Sequence, residues 1–408
     1  RNFVQMVRSG VFDRKSFGYR PKRLIQEWFS QNSPSYIFRN SIGSDPSMSD
    51  VIKMVHPKPK SKEHEALFAY LLGKVDNREE LRENLPALIK EYEDFKQNPT
   101  GENVPNVPFQ MLASLDIPED VWKDIARNGG WHMVRMNLNT FARHGVFEDK
   151  EMVKFVANKL KDEEQIRKSR VFPYQLLMAY KKTSANDSIP PTINLALQDA
   201  MEIATENVPK IEGNVFVLPD VSGSMSSPVT GHYGSATSAV SCLDVAALVS
   251  ASILRQNPEA TVLPFEFQVR RVQLNSRDSV MTNAQKLASV CGGGTNCSAP
   301  LEKILKDQSK VDSIIYVSDN QSWLDRNNVS FRRGSATSSM ELWNKIKRNN
   351  RNAKCVCIDI QPYANTQMKE REDILNIGGF SDQIFTVIDN FLNHDSGTWV
   401  EVVEKVEI

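Results

Sequence analysis

Two architectures joined in one chain are what this sequence predicts: an all-helical first half, then an α/β half built on a doubly wound parallel sheet. Three observations carry that prediction. Apolar residues recur every three to four positions up to about residue 207. After Pro209 the pattern changes to short apolar runs alternating with amphipathic helices, and polar clusters stand where those runs end. At 408 residues the chain is long enough for two ordinary domains without disulfide staples.

In the first half, residues 22–29, 63–72, 78–95, 121–126, 131–144, 151–160, 174–182 and 192–205 show helical spacing. Links such as His56-Pro57-Lys58-Pro59 and Asn98-Pro99-Thr100-Gly101 separate them, so neighbouring helices are expected to run antiparallel in stacked pairs. No crisp repeat period is visible, and the pattern fits an irregular α-solenoid and an ordinary helical domain alike. On the helix starting near Pro21, Leu24, Ile25 and Trp28 are expected to form the buried stripe, leaving Lys22 and Gln26 on an outward flank.

The second half reads differently. Residues 215–218, 313–317 and 355–358 are β-branched or apolar throughout, as strands buried on both faces require, and residues 242–255 and 336–348 are amphipathic helices between them. The boundary is placed between 207 and 208, giving a helical domain over 1–207 and a sheet domain over 208–408. Sheets of this kind put their sites at the C-terminal ends of strands.

Composition narrows the function. The formal net charge is zero, yet residues 1–190 carry 30 basic and 25 acidic side chains while residues 191–408 carry 20 and 25. The skew peaks in residues 1–40, where Arg1, Arg8, Arg14, Lys15, Arg20, Lys22, Arg23 and Arg39 face only Asp13 and Glu27, which suits an anionic partner. The five cysteines are an odd set with no secretion signal, as expected of reduced thiols in a cytoplasmic protein, and no His or Cys pairs stand at zinc-finger spacing. The longest apolar run, residues 245–254, falls far short of the ~20 residues that span a bilayer, so no membrane partner is expected.

Three polar clusters mark the expected strand ends: Asp220-Val221-Ser222-Gly223-Ser224, Gly292-Gly293-Gly294-Thr295-Asn296, and Ser318-Asp319-Asn320. Mg2+ takes octahedral oxygen ligands and keeps several waters, so hydroxyls with one or two carboxylates suit it. Asp220, Ser222, Ser224, Thr295 and Asp319 supply that donor set, the glycines letting the backbone come close and Asp319 placed to hold a metal-bound water. In order and spacing the five residues resemble the metal-ion-dependent adhesion site of von Willebrand A-type domains. A polar loop without metal is the plain alternative. A nucleophile elbow is not supported, because Ser224 sits in Gly223-Ser224-Met225-Ser226 and lacks the second glycine. A phosphotransfer aspartate pair fails too, since Ser222 stands where a second Asp would be needed.

The helical half has its own signature. Arg14-Lys15-Ser16-Phe17-Gly18 leading to Pro21-Lys22-Arg23-Leu24-Ile25-Gln26-Glu27-Trp28, then Val55-His56-Pro57-Lys58-Pro59, residues 131–138 and residues 170–177 together resemble the TROVE module. Joined to an A-type domain, the chain resembles the Ro RNA-binding autoantigen family, in a bacterial form, over nearly its whole length. The resemblance implies a ring of HEAT-like helical repeats closed by the A-type domain. It also implies a role in RNA quality control, with single-stranded 3′ ends of misfolded noncoding RNAs bound in the ring and Y-like RNA outside. By its residues it assigns RNA contacts to Arg14, Lys15, Arg20, Lys22, Arg23, His132, Arg135 and Arg170. For the basic run a solvated helix face is the alternative, and for His132 and Arg135 ordinary packing contacts are.

The chain starts at Arg1 without Met and lacks the repeats that precede the Arg14 motif in the family, so part of the helical module is expected to be missing. Residues 83–120 hold two lysines, Lys90 and Lys96, against eight acids, which favours a single-stranded end over a duplex as ligand. A monomer without enzymatic activity is expected, with Mg2+ as its cofactor and an exoribonuclease as a candidate partner. The competing reading is a metal-dependent adhesion module on a helical scaffold.

Overall fold

Five short strands pair into one sheet in the computed structural model of the chain, which describes residues 2–10, 17–43, 45–75, 78–229, 240–319, 338–362, 368–369, 371–381 and 383–393. They are β1 (Val215–Pro219), β2 (Thr261–Val262), β3 (Ser313–Ser318), β4 (Lys354–Asp359) and β5 (Ile374–Gly378). All pairings are parallel, in the order β2-β1-β3-β4-β5. From β1 the chain first adds a strand on one side and then three on the other. The order therefore reverses between β1 and β3, and a crevice opens there at the strands' C-terminal ends.

Every residue of β1 and β3 is buried, which is why these strands read as unbroken apolar runs and not as alternating ones. Phe216, Leu218, Ile314, Tyr316, Cys355 and Cys357 form one face and pack with Leu301, Ile304, Trp343 and Ile346. Helix Cys242–Gln256 packs over β1 and β3 and also against helices Val280–Ala288 and Pro173–Ser184. Because partners press on it from several sides, the helix is buried from Cys242 to Leu254 with the single exception of Asp244. A capping box starts it: Asp244 N donates to Ser241 Oγ (3.1 Å) and Ser241 N to Asp244 Oδ2 (2.9 Å). Lys181, from Pro173–Ser184, reaches the same carboxylate at 2.6 Å.

Compactness divides the chain elsewhere than the change from helices to sheet. The first unit comprises Arg1–Gly129 with Arg143–Val146, the second Gly130–Ala142 with Phe147–Ile408. The helices after Gly130 thus share a core with the sheet: Phe172 stacks on Phe385, and Tyr174 meets Phe380 edge-on at 4.3 Å between ring centroids. The first unit is helical, its core built from Phe29, Ile37, Phe38, Val55, Leu67 and Ile89.

The expected helices are present, with two broken. Residues 78–95 divide into Glu79–Glu83 and Ala87–Gln97, because Pro86 cannot donate within a helix and instead caps the second. Residues 131–144 divide into Trp131–Met136 and Leu138–Arg143. Helices Pro34–Arg39 and Met48–Val55 stand where none was expected, although Ser33 before Pro34 and the Ser47/Asp50 capping box are start signals. The stripe on Tyr19–Gln31 is also corrected. Leu24 is 59% exposed, Trp28 half-buried, and the inward face is Ile25 with Phe29.

Candidate functional site

The row of residues across the C-terminal edge of the sheet builds the site. Asp220 directly follows β1 beside the crevice, its N–H donating to Val317 O (2.9 Å). The next residues turn away from the sheet, so Asp220 Oδ1 accepts from Ser222 N (2.8 Å) and Oδ2 from Ser318 Oγ (2.8 Å). Thr295 Oγ1 donates to Ser222 Oγ (2.9 Å), which lies 3.1 Å from Ser224 Oγ. Four of the five expected ligands are thereby joined in one hydrogen-bonded cluster. The fifth, Asp319, follows β3 directly and is wholly buried, as is Asp220.

The glycine loop is tied on by its backbone. Gly223 N donates to Gly293 O (3.1 Å) and Gly292 N to Val221 O (2.9 Å). Gly293 has φ +74°, and the Glu266 carboxylate occupies the space a side chain would need. Any other residue there would be strained and would have to push the Glu266 carboxylate aside.

Charge is concentrated and poorly solvated. Burial pushes the Asp220 carboxyl up to about 6 against its hydrogen bonds from Ser222 and Ser318, and the charge of Asp319 adds to the rise. Burial also pushes Asp359, at the end of β4, up to about 7, again with Asp319 adding to it. A divalent cation would relieve this accumulation. The donors are hard oxygens, as Mg2+ requires, and no group of three His, Cys, Asp or Glu that could hold a metal by itself occurs among the described residues. A cation here would depend on the hydroxyls of Ser222, Ser224 and Thr295 together with Asp220 and Asp319, and this donor set fits one. Asp359 was missed in the sequence because a single Asp at a strand end looks like any turn residue.

The residues singled out for RNA are placed less uniformly. Arg14 and Lys15 lie outside the described residues, as does Asn320 of the third polar cluster. On Tyr19–Gln31, Arg20 is exposed and Lys22 half-exposed, while the exposed Arg23 pairs with Glu27 at 2.7 Å. Gln26 Nε2 donates to Val55 O (2.6 Å), which brings this helix against the loop carrying exposed His56, Lys58 and Lys60. Those two lysines were not assigned from sequence, where the loop served only as a motif. His132 is exposed, but Arg135 is buried at 9% exposure, donates to Gln175 O (2.9 Å) and lies over the Trp131 ring. Arg135 therefore belongs to the packing between helices, the alternative named for it, while His132 stays exposed. Arg170 is exposed and caps Glu163–Ser169 in a left-handed conformation (φ 50°).

Comparison with known proteins gives two family matches. Residues 110–227 match the TROVE domain and residues 215–392 the Ro60 vWA domain. The RNA-binding protein RO60 of Deinococcus radiodurans is 24% identical over 305 residues, covering 68% of this chain and 54% of the relative. That of Caenorhabditis elegans is 26% identical over 264 residues, covering 62% and 38%. The chain thus spans about half the length of the bacterial relative or less of the animal one. A crystal structure of the Deinococcus radiodurans Ro (RSR) protein superposes with a TM-score of 0.64 at 18% identity, over 93% of this chain and 78% of that one, a likeness of fold.

Proposed function

The chain belongs to the Ro family, carrying both its TROVE and its vWA domain, and from this premise we propose that it binds noncoding RNA through exposed basic residues of the first unit. The observation that carries the reading is the approach of helix Tyr19–Gln31, with exposed Arg20 and half-exposed Lys22, to the 56–60 loop, with exposed Lys58 and Lys60. Charges so placed attract phosphate with little regard to sequence, as a factor that handles misfolded RNAs needs.

Single-stranded 3′ ends are the favoured ligand. Glu83, Glu91, Asp94, Glu102, Asp116, Glu119 and Asp120 are all exposed in the same unit and would repel a duplex laid along them. Y-like RNA is the second ligand the family suggests. The vWA domain is read as a Mg2+ site that binds a partner's carboxylate or other anionic oxygen. In this reading the protein acts as a monomeric binding component in the cytoplasm, where its five free thiols are at home, and an exoribonuclease supplies any turnover.

The test replaces Arg20, Lys22, Lys58 and Lys60 together by Gln and follows binding of a single-stranded RNA from 50 to 200 mM salt. The log–log salt slope should flatten by roughly one unit per lost phosphate contact. Unchanged affinity and slope would refute the assignment, and a blunt duplex that outcompetes a tailed RNA would refute the preference for single strands.

A further inference from the structure

Parallel register sets Ser318 beside Asp359 and Asp359 beside Gly378. Residues paired this way point their side chains to the same face of the sheet. The Ser318 hydroxyl has one proton, and it goes to Asp220 Oδ2 (2.8 Å). On the other side Gly378 has no side chain to offer. Asp359 is only 3% exposed, and its Oδ1 is buried with no hydrogen-bond partner among the described residues. A carboxylate in that condition is costly, and native structures rarely leave one so without a ligand.

We propose that Asp359 is a third carboxylate of the cation site, accepting a hydrogen bond from a water carried by a divalent cation that Asp220, Ser222, Ser224, Thr295 and Asp319 hold. The spacing favours this indirect role. Two strand separations of roughly 4.8 Å each lie between β1 and β4 at the edge of the sheet, too far for Asp220 and Asp359 to bind one small ion directly but suited to an intervening water. Asp359 would add negative charge at the β4 side of the crevice. The metal-free site would then hold three buried carboxylates, and the empty protein would be less stable than one with Asn at this position.

The inference rests on the Mg2+ reading of the vWA domain, and the experiment separates the two. Mg2+ is titrated by calorimetry into the full chain, into Asp220→Ala and into Asp359→Asn, with Asp359→Ser as a second variant and circular dichroism to confirm folding. Mg2+ binding by the wild type and none by Asp220→Ala establishes the site. Asp359→Asn should then bind about tenfold more weakly, the usual cost of an outer-shell carboxylate. It should also melt at a higher temperature than wild type in EDTA. Affinity within threefold of wild type in both folded Asp359 variants would overturn the role of Asp359 while leaving the site intact. Absence of Mg2+ binding by the wild type would overturn the Mg2+ reading itself, and this inference with it.

Discussion

The basic residues singled out in the first compact unit and the strand-end carboxylates of the second live under opposite conditions. In the first, Arg20, Arg23, Lys58 and Lys60 stand in water, where an ion pair such as Arg23 with Glu27 adds little and salt screens it further. In the second, Asp220, Asp319 and Asp359 are withdrawn from water behind a parallel sheet, where each oxygen needs a specific donor. The first arrangement suits a ligand recognised by charge density and tolerant of position; the second suits one small ion at one place. Removing a single residue should accordingly matter little in the first and decisively in the second.

The strongest test of that contrast is a pair of truncations. Residues 208–408 alone would strip Pro173–Ser184 from helix Cys242–Gln256 and Phe172 from Phe385, so this fragment should lose cooperative thermal melting, whereas residues 130–408 should keep it. Circular dichroism melts decide it, and a cooperative 208–408 near the midpoint of the full chain would break the claim of a shared core. A smaller effect is expected at Asp244, which both caps that helix and meets Lys181. Asp244→Ala should cost about 1–2 kcal/mol in urea unfolding, and Lys181→Ala no more than about half of that. Equal losses would mean the cap contributes nothing.

The smallest expected effect lies in the first unit. His144 stacks on Trp122 at 4.4 Å, and burial, helped by the charge of Arg143, holds its imidazole below the usual range. With the folded pKa depressed, the unfolded chain takes up the proton first as pH falls. The contribution of His144 is thus fully present above about pH 6.5 and is lost as pH drops through the folded value. His144→Phe should therefore weaken the drop in melting temperature between pH 7.5 and pH 5.5 by a degree or two, and an identical drop in both proteins would discard the idea.

Legibility in the sequence followed the same physical divide. The polar cluster was readable because Asp220, Ser222, Ser224, Thr295 and Asp319 are fixed residue types in a fixed order, four of them after β1 or β3, whose apolar runs were plain; Thr295, expected at a strand end, instead follows helix Val280–Ala288. Asp359 was not, since what makes it notable is the register of β4 on β3, which pairs it with Ser318, 41 positions earlier. β2 contributes two residues, Thr261 and Val262, too few for any periodicity, and β5 carries Asn376 in its middle. In the helical half, Leu24 belongs to the apolar set yet faces outward, and Arg135 belongs to the basic set yet faces inward. Spacing alone could not tell the side a neighbour would cover. Lys58 and Lys60 gain meaning only when Gln26 brings their loop to a second basic element.

Helix Cys242–Gln256 has a bearing on descent as well as on folding. Its apolar flank is covered by a helix that precedes the sheet in the chain, and the TROVE and Ro60 vWA matches overlap over residues 215–227. A genetic exchange that cut between 207 and 208 would leave the apolar flank of helix Cys242–Gln256 bare, prone to self-association and to destruction in the cell. Lineages that kept the two pieces together would be spared that penalty. The pair is therefore expected to be inherited as one cassette beginning near residue 130, and substitutions at Lys181 and Asp244 are expected to follow one another through its history.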